Sequence, residues 1–244
     1  MISICTNVLD WNFGLREALP TWLKFPCDEI VIFDFNCGKE FAKDIVDKNS
    51  DPRIKLIVPA EQLSYNPSIG RNVSINYASG DVIFYLDADV KIKNPNIDFS
   101  KVKSNCLMQG VPFRGVPTEP VKGKKWEYCY SIFGDEKQLF LSSISGSSIF
   151  LKKNFQEING FDERLEGWGC VDYDFYKRLH TLGIKHFHFL ENDLEHVDHD
   201  DKTRVKNFEI KNIWVSNDIN LDITKQKKWD STFAQKKVQV KRTY

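Results

Sequence analysis

Short apolar runs alternate with amphipathic stretches through the first third of the chain. Ile2–Thr6, Glu29–Phe33, Ile54–Val58 and Val82–Leu86 are runs of five residues that read as buried strands. Between them, Leu15–Leu23 places Leu15, Leu19, Trp22 and Leu23 on one helical face, and Phe41–Val46 has helical spacing. Ser68–Tyr77 repeats Ile69, Val73 and Tyr77 every four residues, and Gly80 reads as the glycine that ends this helix. Strand and helix in alternation predict an α/β protein with a parallel sheet of βαβ units. Beyond residue 90 the alternation weakens. Asn105–Gly110, Ser147–Leu151 and Lys185–Leu190 read as strands and Phe175–Leu182 as a helix, with a polar, Gly/Pro-containing segment between the first two strands. No repeat or low-complexity linker divides the chain.

The fourth run ends in Asp87-Ala88-Asp89. Two carboxylates leaving the carboxyl edge of a sheet stand where α/β proteins bind ligands, and such a pair suits Mg²⁺ or Mn²⁺ bridging a diphosphate. Taken alone, the pair serves equally well to cap a strand and open a turn. Two later clusters bear on the choice. In Gly167-Trp168-Gly169-Cys170-Val171-Asp172-Tyr173-Asp174 the glycines let the backbone turn, and the indole offers a flat face to a sugar or base. Asp172 and Asp174 open the following helix, where plain N-terminal capping accounts for one of them. In Glu195-His196-Val197-Asp198-His199, two imidazoles three residues apart lie among acids, a donor set that suits Mn²⁺. His186 and His188 alternate along a strand and read as structural.

Composition narrows the class. At 244 residues and 41% hydrophobic, the chain can bury a sizeable core, and its 34 basic and 34 acidic residues cancel. The cancellation conceals a tail: residues 225–244 carry Lys225, Lys227, Lys228, Lys236, Lys237, Lys241 and Arg242 against Asp230. That stretch is therefore +6 and residues 1–224 are −6. A solvated, partly frayed tail explains it, ahead of contact with nucleic acid or a membrane. The six cysteines, Cys5, Cys27, Cys37, Cys106, Cys129 and Cys170, form no CxxC pair, as expected of buried thiols in a reducing, cytoplasmic setting. The N-terminus lacks the basic region and long apolar run of a signal peptide, and no 18-residue apolar stretch occurs. Neither GxGxxG after the first strand nor GxxxxGK[ST] is present, which excludes dinucleotide-fingerprint and P-loop chemistry.

The order Asp-x-Asp, Gly-Trp-Gly-x-x-Asp, His-x-x-His resembles the GT-A glycosyltransferases, family-2-like with a galactosyltransferase-type C-terminal half. The match is closest in Gly146-Ser147-Ser148, Phe155, Ile158-Asn159-Gly160-Phe161 and Gly167 to Asp174. These parallel the family's Gly-Gly-Val-Ser, Asn-Gly-Phe and Gly-Trp-Gly-Gly-Glu-Asp-Asp-Asp. The resemblance implies a Rossmann-like nucleotide-binding sheet with helices on both faces and an elaborated acceptor-binding second half. It implies one domain over residues 1–224, with a nucleotide-binding half to residue 90, an acceptor and metal half over 91–224, and the basic tail beyond. It further implies that Thr6, Asp34, Arg71, Asp87, Gly146 and Trp168 line the donor site and that Asp172 is the catalytic base. Asp89 and His199, with His196, would ligate Mn²⁺ or Mg²⁺.

Those roles imply an inverting transfer from a UDP-sugar to a saccharide or other hydroxyl-bearing acceptor. Cys170, Val171 and Tyr173 depart from the family pattern, and the lost acid at Val171 leaves the acceptor class open. A non-catalytic nucleotide-sugar binding module is the alternative these departures sustain. A nucleotidyltransferase ranks below it, because Ile4–Phe13 offers no basic triphosphate loop.

Overall fold

The computed structural model describes residues 1–10, 12–36, 41–112, 142–226, 235 and 237–243. The elements are β1 (Ile2–Val8), α1 (Asn12–Trp22), β2 (Glu29–Asp34), α2 (Phe41–Asn49), β3 (Ile54–Pro59), α3 (Pro67–Tyr77), β4 (Val82–Tyr85) and β5 (Val90–Ile92). There follow β6 (Cys106–Pro112), β7 (Ser142–Leu151), α4 (Lys152–Glu157), α5 (Val171–Thr181), β8 (Lys185–His188), β9 (Leu194–His196), α6 (Asp201–Arg204), α7 (Ile213–Gln226) and β10 (Val240–Thr243). The Gly/Pro-containing segment expected between β6 and β7 lies mostly outside the described residues, as do Cys37, Cys129, Lys227, Lys228, Asp230 and Lys236.

Eight strands form one sheet in the order β10-β3-β2-β1-β4-β7-β6-β8. The expected parallel unit is there: β3, β2, β1 and β4 pair in parallel through βαβ connections. The sheet is nonetheless mixed, because β7 runs antiparallel to β4 and to β6, and β10 runs antiparallel to β3. Each strand of the parallel unit feeds two cores by period-two alternation. Ile4, Ile30, Ile32, Val82 and Phe84 pack under α1 and α2, while Cys5, Val31, Phe33, Ile83 and Tyr85 pack under α3 and α5. Burial on both faces is why these strands read as continuous apolar runs rather than as alternating ones.

Three local expectations change. Gly80 does not cap α3, whose cap is Ala78 in extended conformation. It is instead a close-approach position: a Cβ there would sit 2.4 Å from Ser3 Oγ and 2.9 Å from Met1 O. The tail read as frayed contributes β10, an edge strand on β3 that begins at Val240. The helix expected from Phe175 begins at Val171, after Cys170 turns the chain at φ 61° and accepts from Asp174 N at 2.8 Å. The short pair β5–β9 and the helices α4 and α7 carry too few periodic residues to announce themselves.

A buried charge pair within helix α5 ties that helix to the Ile158–Gly160 segment. Arg178 and Asp174 are both fully buried, with Arg178 Nε and Nη2 donating to Asp174 Oδ2 at 3.0 and 2.9 Å. The same guanidinium donates to Ile158 O at 2.9 Å and Gly160 O at 2.7 Å, clamping the Asn159-Gly160 turn. Asp174 is thus the structural member of the two acids that open the helix. Replacing Arg178 by Met strands a buried carboxylate and two carbonyls. The expected cost is about 3–5 kcal/mol, read as a fall in the urea midpoint without a change in slope.

Candidate active site

The site grows from the carboxyl edge of β4. Leu86 N still bonds to Cys5 O at 3.0 Å, and Val90 N closes a turn onto Asp87 O at 3.0 Å. This turn sends Asp87 and Asp89 out of the sheet in different directions. Val90 then starts β5, held by Trp22 Nε1 donating to Val90 O at 2.7 Å.

Asp87 faces α3 and β7. Arg71, on α3, donates through Nη2 to Asp87 Oδ1 at 3.2 Å and through Nη1 to Asp172 Oδ1. Its guanidinium carbon lies 5.0 Å from the ring centroids of both Tyr85 and Phe161, which are themselves 6.2 Å apart. Burial opposes the Arg71 charge, but Asp172, Tyr85 and Asp87 outweigh it and hold its pKa well above the usual value. Desolvation is the main cause that pushes the Asp87 carboxyl up to about 6, with Asp172 and Asp89 adding to it and Arg71 opposing. Gly146, on β7, passes directly over Asp87: an added Cβ would lie 1.9 Å from Oδ2. Only a residue without a side chain fits there.

Asp89 turns the other way. Its Oδ2 lies 3.3 Å from His199 Nε2 and 3.6 Å from His196 Nε2, and the candidate ligand atoms of the three residues all lie within 4.8 Å of one another. The β5–β9 pair makes this meeting, since Val90 pairs with His196 and Val197 N donates to Asp89 O at 2.8 Å. One carboxylate and two imidazoles suit a first-row divalent cation. His199 Nδ1 lies 3.2 Å from Asp200 O. An Nδ1–H donating to that carbonyl leaves the Nε2 lone pair directed at Asp89, the usual support for a ligating imidazole. His199 has the less exposed side chain, 9% against 32% for His196.

Behind the cleft, α3 organises the Asn-Gly-Phe segment. Asn72 Nδ2 donates to Phe161 O at 2.9 Å, and Phe161 N donates back to Asn72 Oδ1 at 2.8 Å. Asn66 caps α3 with its side-chain oxygen and donates from Nδ2 to Glu163 O at 2.9 Å. Gly167, Trp168 and Gly169 are held by α7. Trp168 N donates to Ser216 Oγ at 2.8 Å, Ser216 Oγ donates to Trp168 O at 3.0 Å, and Asn220 Nδ2 donates to Gly169 O at 2.9 Å. Gly167 and Gly169 have φ of 78° and 101°, and a Cβ on them would meet Ser216 Oγ and Asn217 Oδ1. These two glycines are needed both for their dihedrals and for the approach of α7.

The structure thus gathers Arg71, Asp87, Gly146 and Asp172 into one cluster, with Asp89, His196 and His199 beside it. Thr6 and Asp34 lie fully buried at the carboxyl ends of β1 and β2. Asp34 is used within the chain: Oδ1 accepts from Asn36 N and Nδ2, and Oδ2 from Ala42 N at 2.9 Å. Desolvation raises its pKa against these bonds. Val171 and Tyr173 are core positions, both buried. His186 and His188 are structural as expected: His186 rings against His180 at 5.3 Å, and His188 Nδ1 lies 3.1 Å from Gln109 O. Sequence reasoning missed Ser216, Asn217 and Asn220, whose small polar side chains at helical spacing were the available signal. It also passed over the ring pair Tyr85 and Phe161.

Residues 136–206 match the family model described as the N-terminal domain of galactosyltransferase. Among solved structures, the catalytic domain of Drosophila β1,4-galactosyltransferase 7 in complex with xylobiose is similar at TM-score 0.58 and 16% identity, covering 95% of this chain and 82% of that one. TarS from S. aureus in complex with UDP is similar at TM-score 0.54 and 18% identity, covering 91% and 70%. The mannosyltransferase PcManGT from Pyrobaculum calidifontis, with GDP-Man and Mn²⁺, is similar at TM-score 0.54 and 12% identity, covering 78% and 56%. No curated protein sequence matches the chain. The chain has the GT-A glycosyltransferase fold, and the segment carrying Gly146, Trp168, Asp172, His196 and His199 lies within the galactosyltransferase match.

Gly146→Ala tests the cradle over Asp87. The added methyl is expected to displace the carboxylate and cost about 1–3 kcal/mol, read by chemical denaturation, with Asp87 visibly moved in a crystal structure of the variant.

Proposed function

We propose that this protein is an inverting, metal-dependent glycosyltransferase that moves a sugar from a UDP-sugar to an acceptor hydroxyl. One observation carries the reading: a carboxylate on a helix N-terminus, Asp172, stands across Arg71 from Asp87, beside the Asp89–His196–His199 cluster. The acceptor oxygen attacks the anomeric carbon, the bond from that carbon to the diphosphate oxygen breaks, and its electron pair leaves with UDP. Asp172 takes the acceptor proton as the bond forms. A base without a protein nucleophile implies inversion. Asp89, His199 and His196 would hold Mn²⁺ or Mg²⁺, which when bound would supply Lewis-acid neutralisation of charge on the leaving diphosphate. Thr6, Asp34, Arg71, Asp87, Gly146 and Trp168 belong to the donor side, with Asp34 also accepting from Ala42 N at the start of α2.

Several relatives support the ligand classes. A mutant of the Drosophila enzyme is solved with manganese, UDP-Gal and xylobiose, and TarS with UDP-GlcNAc. A saccharide acceptor follows for this chain by the same reading. The departures Val171 and Tyr173 that sustain a binding-only module are accommodated in the core, which favours an enzyme over a module. A cytoplasmic setting belongs to the same reading, and the buried thiols of Cys5, Cys27 and Cys106 suit it. Residues 1–224 form the glycosyltransferase unit in this proposal, with β10 adding an edge strand from the tail.

The test is UDP release from a panel of UDP-sugars with Mn²⁺. Asp172→Asn is expected to lower kcat by about 10²–10⁴-fold while UDP binding persists. His199→Ala should weaken Mn²⁺ affinity, followed by electron paramagnetic resonance, by at least about 10–100-fold. Wild-type turnover by Asp172→Asn would remove the base from the mechanism.

A further inference from the structure

We infer that Arg71 is a positioning residue that sets the orientation of the base by tying it to the donor-side carboxylate. The inference rests on the glycosyltransferase reading and adds to it how Asp172 is aimed. Asp172 stands in the first turn of α5 with a quarter of its side chain exposed, so the helix alone leaves both of its side-chain torsions open. Arg71 removes that freedom. Its planar head has two prongs at fixed separation, and each takes a different carboxylate: Nη1 takes Asp172 Oδ1, and Nη2 takes Asp87 Oδ1 at 3.2 Å.

Its swing is restricted by Tyr85 and Phe161, neighbouring rings whose centroids each lie 5.0 Å from the guanidinium carbon. Tyr85 is itself pinned by Asn7 Nδ2 donating to its hydroxyl at 2.6 Å, and Phe161 is pinned by Asn72 on both its N–H and carbonyl. With 7% of its side chain accessible and both terminal nitrogens engaged, Arg71 acts through Asp172 and Asp87. What Arg71 contributes is geometry, one rigid fork holding two carboxylates. A displacement of about 1 Å at a reacting group is enough to cost about 100-fold in rate. Lys keeps the charge but has a single point of attachment and cannot hold two carboxylates at a set spacing.

Arg71→Lys is therefore expected to lower kcat by about 100-fold, with KM for the UDP-sugar and affinity for Mn²⁺ within about threefold of wild type. In an Asp172→Asn background the same substitution should have no further effect on kcat, because Arg71 works through that carboxylate. Independent losses in the two backgrounds, or a KM for donor that rises in step with the fall in kcat, would overturn the inference in favour of a structural or donor-binding role. Should Arg71→Lys fail to fold, Phe161→Leu loosens the guanidinium while keeping its charge, and about a tenfold loss of kcat at unchanged donor KM is expected. A readout without turnover separates this idea from the one beneath it. In crystals of Arg71→Lys the Asp172 carboxylate should leave its wild-type position by about 1 Å or more. Wild-type protein that releases no UDP from any donor sinks the glycosyltransferase reading, and an unmoved Asp172 in the variant sinks the positioning role.

Discussion

A buried guanidinium that must be neutralised is the constraint on which the cleft depends. Taking an ion out of water costs several kcal/mol even after relaxation, so Arg71 is tolerable only with well-placed carboxylates at its prongs. Asp87 lies 16 residues away in sequence and Asp172 lies 101 residues away. The first arrives through a βαβ unit. The second needs the whole second half of the chain to return, with Cys170 turning the backbone so that α5 begins at Val171. Closing the sheet with β7 next to β4 is part of the same requirement, because β7 supplies the bare backbone at Gly146 that leaves room for Asp87.

The carboxylates at the cleft divide between two kinds of compensation. Asp87 and Asp172 answer a fixed cation of the chain, and Asp89 answers two imidazoles and, in the proposed function, a divalent ion. Desolvation is the main cause of the raised Asp87 pKa, and the neighbouring Asp172 and Asp89 add to it. Ala88 between them is buried, and the turn from Leu86 to Val90 directs the two acids to opposite partners.

The Asn-Gly-Phe segment gains its meaning from this arrangement. Asn72 grips it from α3, and Arg178 grips it from α5. Phe161 then stands as one wall of the Arg71 enclosure and stacks on Phe175 at 4.0 Å. A motif that reads as a family signature is thus the joint between the two halves. The Gly-Trp-Gly segment is docked on the polar face of α7, within the second half.

The sequence alone determined the elements whose residues speak for themselves. Four buried strands and their helices were legible because burial on both sheet faces demands unbroken apolar runs, and amphipathic helices repeat near every four residues. Asp87, Asp89, Asp172 and the His196–His199 pair were legible as candidate chemistry because unusual residues at fixed spacing survive as a pattern. The family resemblance singled out Asp172 as the base and Asp89 as the ligand, but the residues themselves did not show why. Asp172 and Asp174 look alike in the chain, and only packing makes one a buried anchor for Arg178 and the other a partner of Arg71. Arg71 itself sits in a helix pattern like any other polar residue. The role of Gly80, the short β5–β9 pair, the polar face of α7 and the edge strand β10 likewise depend on contacts between distant segments. Local propensity encodes periodicity, whereas close approach, charge pairing and register are properties of two segments at once, which only the folded chain brings together.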